Sequence, residues 1–158
     1  MIPFWSGKAY FRLDVMARPA TSTASRYGAA SKAHMIAIVD DDEAVRVATR
    51  HLVRALGFET ETFASAEEFL RSCSASEWSC VISDVNMPGL SGIELQRRLA
   101  SEGRLVPFIF ITAFHDQATQ DRALKAGAVG FLSKPFASHE LIACLERAMQ
   151  GGTGSDHH

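Results

Sequence analysis

The 158-residue sequence predicts one α/β domain, a doubly wound, five-stranded parallel sheet of order 2-1-3-4-5 with helices on both faces. Three observations point to it. Five short apolar runs alternate with five segments of helical period. Three of the runs are continuously apolar up to a closing Ser83 or Thr112 in two of them, as strands covered on both faces are. The length, set against about 100 to 200 residues per domain, suits one domain with tails rather than two.

The first strand is MIAIV, residues 35 to 39, followed by a helix over 43 to 56. Val45, Ala48, Leu52 and Leu56 form one stripe of that helix and Arg46, Arg50 and Arg54 another, so it is amphipathic. FETETF, 58 to 63, alternates Glu with Thr between two phenylalanines and suits an edge strand. The helix after it, 65 to 73, opens on Ser65 with Glu68 three places on, a capping-box spacing. CVIS (80 to 83) and PFIFIT (107 to 112) are the continuously apolar third and fourth strands, and AVGFLS (128 to 133) is the fifth. Helices are expected over 92 to 101, 116 to 126 and 138 to 149. Gly57 and Gly127 stand where helix C-terminal glycines belong. With an edge strand second in sequence, the flavodoxin-like winding fits.

With 47% hydrophobic and 22% charged residues the chain is no wholly disordered polymer. Its longest apolar pieces, such as LVPFIFI (105 to 111), fall far short of the roughly 18 residues a membrane span needs. The net charge of -2 divides unevenly: residues 1 to 34 carry five bases against Asp14 alone, leaving an acidic body that argues against direct contact with nucleic acid. Cys73, Cys80 and Cys144 show no metal-ligand spacing and read as reduced core residues in a reducing, cytoplasmic compartment.

Residues 1 to 34 read as a flexible extension: a translated leader from a misplaced start or an engineered addition, a native disordered segment, or an organellar transit peptide. Met35 then stands as a natural start. The domain is expected over 35 to 149, with 150 to 158 a flexible tail whose final histidines resemble remnants of a tag.

In a doubly wound sheet, function belongs at the carboxyl ends of the strands, where the winding reverses. The first strand delivers Asp40, Asp41 and Asp42 there, the third Asp84, the fourth Thr112 and the fifth Lys134. Carboxylates about 5 Å apart repel by roughly 3 kcal/mol at an effective dielectric near 20, so such a cluster asks for a cation. Oxygen ligands without His or Cys select a hard ion, and a shallow site with room for water and phosphate oxygens suits magnesium, Mg2+. With phosphate present, Lys134 and Thr112 can contact its oxygens, while Asp84, facing the other two acids, can accept it as an aspartyl phosphate. Asp42 is left as a helix-start residue. Met87, Pro88 and Gly89 read as a rigid turn, Trp78 as partly buried packing, and His115 and His139 as solvent-facing.

IVDDDEAVR, SDVNMPGLSG, IFITA and AGAVGFLSKPF, in this order and spacing, resemble the receiver domain of bacterial two-component response regulators. ASAEEFL and AGAVGFLSKPF are most similar to the nitrogen-fixation and LuxR-type subgroup. The resemblance spans 35 to about 149. It implies Asp84 as phosphoacceptor, Asp40 and Asp41 as magnesium ligands together with the Asn86 backbone carbonyl, and Thr112 and Lys134 as the signalling pair. Phe131 is implied as the switch aromatic, following Thr112 inward, and a cis bond is implied before Pro135. A sensor histidine kinase is the implied phosphodonor. A homodimer or effector contact is implied through the fourth helix, fifth strand and fifth helix, with no catalysis beyond the domain's own phosphorylation and dephosphorylation. Asn86 and Phe114 flank the route of hydrolytic water, and bulky Phe114 is expected to slow loss of the phosphoryl group. A magnesium phosphatase of the haloacid-dehalogenase kind is the alternative, but it needs an acid where Asn86 stands. A flavin carrier needs a Ser/Thr/Gly-rich loop where the chain has Asp40 to Glu43.

Overall fold

The computed structural model describes residues 34 to 72 and 78 to 154. The expectations for residues 1 to 33, for Cys73 and for 155 to 158 lie outside them. Five strands, β1 (Met35–Val39), β2 (Glu59–Phe63), β3 (Cys80–Asp84), β4 (Phe108–Thr112) and β5 (Gly130–Ser133), alternate with helices α1 (Glu43–Ala55), α2 (Ala66–Ser72), α3 (Gly92–Ser101), α4 (Gln117–Lys125) and α5 (Ser138–Gly154). All pairings are parallel and the order is β2-β1-β3-β4-β5, as expected. The FETETF strand is an edge.

Alternation along each strand divides the core into two layers. Ile36, Ile38, Ile82, Ile109 and Ile111 face Leu52 and Val53 of α1 and Leu141 and Leu145 of α5. Ala37, Val39, Val81, Phe108 and Phe110 face Phe69 of α2 and Leu95 and Leu99 of α3. Burying the sheet on both sides is what the unbroken apolar runs require. At one border Trp78 is 8% exposed and meets Phe63 and Phe69 at ring distances of 6.0 and 5.7 Å, more deeply packed than the sequence suggested. Met87 likewise joins the core within its turn. Among the described residues, α4 buries only Ala123, so it is the most lightly held of the helices.

Local signals hold with two amendments. Gly57 and Gly127 adopt φ 101° and 106° at helix ends. Ser65 accepts from the Glu68 N–H at 3.0 Å, but the Glu68 carboxylate reaches past Ser65 to the Ala64 N–H, so the expected capping box is half formed. A complete box stands instead at Ser91 and Glu94, opening α3. Helix α5 continues through Gly154, beyond the expected bound at 149. Each glycine there weakens a helix by about 1 kcal/mol without removing its backbone hydrogen bonds, so composition set the bound too early. No helix among the described residues is long and apolar enough to cross a membrane.

The start of α3 lies hard against the end of β3: a Cβ on Gly92 would overlap the Asp84 carbonyl oxygen and come within 2.9 Å of Ser83 Oγ and 3.1 Å of the Phe110 ring. Helix propensity alone would favour alanine. Gly92→Ala is nonetheless expected to destabilise by about 1 to 3 kcal/mol, read as a lower urea midpoint at unchanged m-value.

Candidate functional site

The neighbouring strands β1 and β3 end in acids. Asp40 follows β1, its N–H donating to the Phe63 carbonyl at 3.1 Å, and Asp84 closes β3. Asp40, Asp41 and Asp84 each present a carboxylate oxygen within 4.8 Å of the others. Asp40 and Asp84 are 3% and 6% exposed, whereas Asp41 is exposed. Just past β5, the Lys134 Nζ reaches Asp40 Oδ2 at 3.5 Å and Asp84 Oδ2 at 3.7 Å. The Lys134 N–H donates to the Thr112 carbonyl at 2.8 Å, so the end of the β4–β5 ladder places both residues. The Lys134–Pro135 bond is cis.

Asn86 and Thr112 join this cluster through hydrogen bonds. The Asn86 N–H donates to Asp84 Oδ1 at 3.3 Å, and its side-chain amide donates to Thr112 Oγ1 at 3.2 Å. The Thr112 hydroxyl donates to the Phe114 carbonyl at 3.2 Å and accepts from the Phe114 N–H at 3.1 Å. Phe131 stands apart from the acids: half-buried on β5, it lies 6.3 Å from the Phe110 ring and 6.1 Å, edge-on, from His115. His115, exposed as expected, also pairs with Gln120 Oε1 on α4 at 2.6 Å. The Phe114 side chain is exposed.

Two groups that hold Asp40 were not visible as site residues in the sequence. Arg46 donates to the Asp40 carbonyl at 2.6 Å, and the Asp42 N–H donates to Asp40 Oδ1 at 2.9 Å. Asp42 itself caps α1, accepting from the Ala44 and Val45 N–H groups, which is the helix-start role expected of it. Arg46 carried only the signal of a polar helix stripe, since nothing in that stripe tells which arginine turns back to a strand end.

Burial, and then the charge of Asp40, push the Asp84 carboxyl up to about 7, with Lys134 and the Asn86 N–H opposing only in part. Burial also raises Asp40 above the ordinary carboxylate range. One lysine does not offset three crowded acids. The donors are all oxygens, so the pocket suits a hard divalent cation, and loading it would displace the proton.

Because the folded, metal-free protein holds a proton on Asp84 that the unfolded chain releases, stability falls as pH rises from the ordinary carboxylate value through about 7. Asp84→Asn removes that penalty. In chelator it is expected to raise stability by about 1 to 3 kcal/mol near pH 8, with the gain vanishing toward about pH 4, as read by thermal melting across that range.

The profile of the response regulator receiver domain matches residues 36–146. The response regulator protein TodT of Pseudomonas putida is 42% identical over 119 residues, 75% of this chain and 52% of TodT. The transcriptional regulatory protein FixJ of Bradyrhizobium diazoefficiens is 38% identical over 120 residues, 76% of this chain and 58% of FixJ. The crystal structure of FixJ-N superposes with a TM-score of 0.70 at 35% identity, covering 75% of this chain and 95% of that one. The chain spans about half the length of the curated relatives it matches. Its fold, its strand-end acids and its matched span together make it a member of the response regulator receiver domain family.

Proposed function

We propose that this domain is a phosphorylation switch in which Asp84 receives a phosphoryl group from the phosphohistidine of a sensor histidine kinase, with Mg2+ held by Asp40, Asp41, Asp84 and the Asn86 carbonyl. The observation that carries the reading is the convergence of three carboxylate oxygens within 4.8 Å of one another beside the Lys134 ammonium. An Asp84 oxygen attacks phosphorus, the P–N bond breaks, and its electron pair stays on that ring nitrogen, so the imidazole leaves neutral with the proton held on its other ring nitrogen. A magnesium ion held by those oxygens would supply positive charge to the transferring group. Lys134, already between Asp40 and Asp84, is placed to contact a phosphoryl oxygen. Thr112 can do the same once its hydroxyl leaves the Phe114 carbonyl.

That exchange is how the state of Asp84 would leave the site. Asn86, Phe114 and Thr112 share one small hydrogen-bond network, so recruiting the Thr112 hydroxyl releases the start of the β4–α4 connection. Phe131 then moves inward beside Phe110, and α4, anchored by Ala123 alone among its described residues, is free to follow. Full reversal of a two-state equilibrium from 1:99 to 99:1 needs about 5.5 kcal/mol, the scale of two or three charge-assisted contacts. A homodimer or effector would read the change on α4, β5 and α5. The chemistry is confined to the domain's own phosphorylation and dephosphorylation, in the cytoplasm with its kinase. The names of relatives such as FixJ carry transcriptional regulation, and output of that kind is the reading for the whole protein. The comparisons lend the phosphatase alternative no support.

Incubation with acetyl phosphate and magnesium is expected to add about 80 Da to the intact protein, and to add nothing without magnesium or to Asp84→Asn. No gain in the wild type, or an equal gain in the variant, contradicts the assignment. Phe114→Ala is expected to shorten the lifetime of the phosphoryl group by about 3- to 10-fold, up to roughly 1.4 kcal/mol of barrier, because the exposed ring no longer covers the water route. An unchanged or longer lifetime by the same mass assay removes Phe114 from that role.

A further inference from the structure

We infer that Glu67, on α2, is a positioning residue for the cation pocket: its carboxylate holds the loop between β3 and α3 at Leu90 and so fixes where the Asn86 end of that loop stands. The inference rests on the reading of Asn86 as a ligand of the ion.

The loop runs from Val85 to Ser91. Its near end is tied to β4, Val85 N–H to the Ile111 carbonyl at 3.0 Å, and the start of α3 closes back on that end, Gly92 N–H to the Val85 carbonyl at 2.9 Å. Val85 and Met87 also bury their side chains. Ser91 is tied to α3 by its box with Glu94, its N–H donating to Glu94 Oε1 at 2.9 Å, and Pro88 has no N–H to offer. The Leu90 N–H donates to Glu67 Oε2 at 2.9 Å, joining segments 23 residues apart in sequence. Gly89 turns with φ +78°, and a Cβ built there would lie 2.6 Å from the same Oε2. The turn conformation therefore needs glycine, and the space beside it is already taken by the Glu67 carboxylate. Two features of the loop, one backbone bond and one missing side chain, accommodate this acid. The Leu90 N–H is also the chief cause holding the Glu67 carboxyl below the ordinary range.

At the near end, Asn86 makes the two bonds that touch the site, its N–H to Asp84 Oδ1 and its amide to Thr112 Oγ1. A shift of the loop would move all three donors and acceptors of Asn86 together. Groups that orient a metal ligand from behind typically alter affinity by about 10- to 100-fold when removed, and Glu67 acts from four residues away along the backbone, so a smaller effect follows.

The test is magnesium binding by calorimetry, without phosphodonor, for the wild type, Glu67→Ala and Glu67→Gln. Glutamine keeps an acceptor oxygen in the same place, while alanine removes it. Glu67→Ala is expected to weaken magnesium binding by about 3- to 10-fold and to speed hydrogen exchange at the Leu90 amide, with Glu67→Gln within about twofold of wild type on both. Equal magnesium affinity in all three proteins overturns the inference, as does a glutamine variant no better than alanine. An alanine variant that melts lower without magnesium but binds the ion as tightly as wild type assigns Glu67 a purely structural role and overturns it too. If the wild type binds no magnesium, the reading of the pocket fails before Glu67 is in question.

Discussion

Three carboxylates share one end of the sheet, and the architecture of that end follows from keeping them there. At the separations found, each pair repels by about 3 kcal/mol with an effective dielectric near 20, and two of the three acids are nearly excluded from water. Lys134 opposes part of this, Arg46 fixes the Asp40 backbone, and the backbone N–H groups of Asp42 and Asn86 each donate to a carboxylate oxygen. What is left over raises Asp84 toward neutrality. An arrangement this unfavourable by itself is matched to a guest that carries positive charge, and to a reaction that changes the charge on one acid.

The rest of the fold makes the crowding sustainable. Two apolar layers clamp the strands on both faces, so the strand ends cannot splay to relieve repulsion. Gly92 lets α3 close against the carbonyl of Asp84 itself. On the other side of the site the structure is looser: α4 buries Ala123 alone and its N-cap Asp116 makes no capping bond through its side chain to the helix start. Rigid acids beside a lightly held helix suit the proposed switch, in which a change at Asp84 would pass toward Thr112, Phe114 and α4.

Much of this was legible in the sequence because it is written in local pattern. Unbroken apolar runs gave the buried strands, FETETF the edge, and the strand order then brought Asp40, Asp41, Asp84, Thr112 and Lys134 to one end without any further assumption. Contacts between distant segments were not legible. Glu67 with Leu90, Arg46 with the Asp40 carbonyl and His115 with Phe131 depend on the exact path of loops and on side-chain rotamers, which no periodicity encodes. The capping boxes show the same limit on a smaller scale: Ser65–Glu68 and Ser91–Glu94 have one spacing, yet only the second closes, because the first carboxylate finds the Ala64 N–H instead.

The most direct measurement of the central claim is the proton count on magnesium binding, from calorimetry in two buffers of different ionisation enthalpy. With Asp84 titrating at about 7, binding near that pH is expected to release roughly half a proton per ion, and almost none near pH 9, where the site is already ionised. Binding without proton release near neutrality would show that the acids coexist as charges unaided, and would contradict the account.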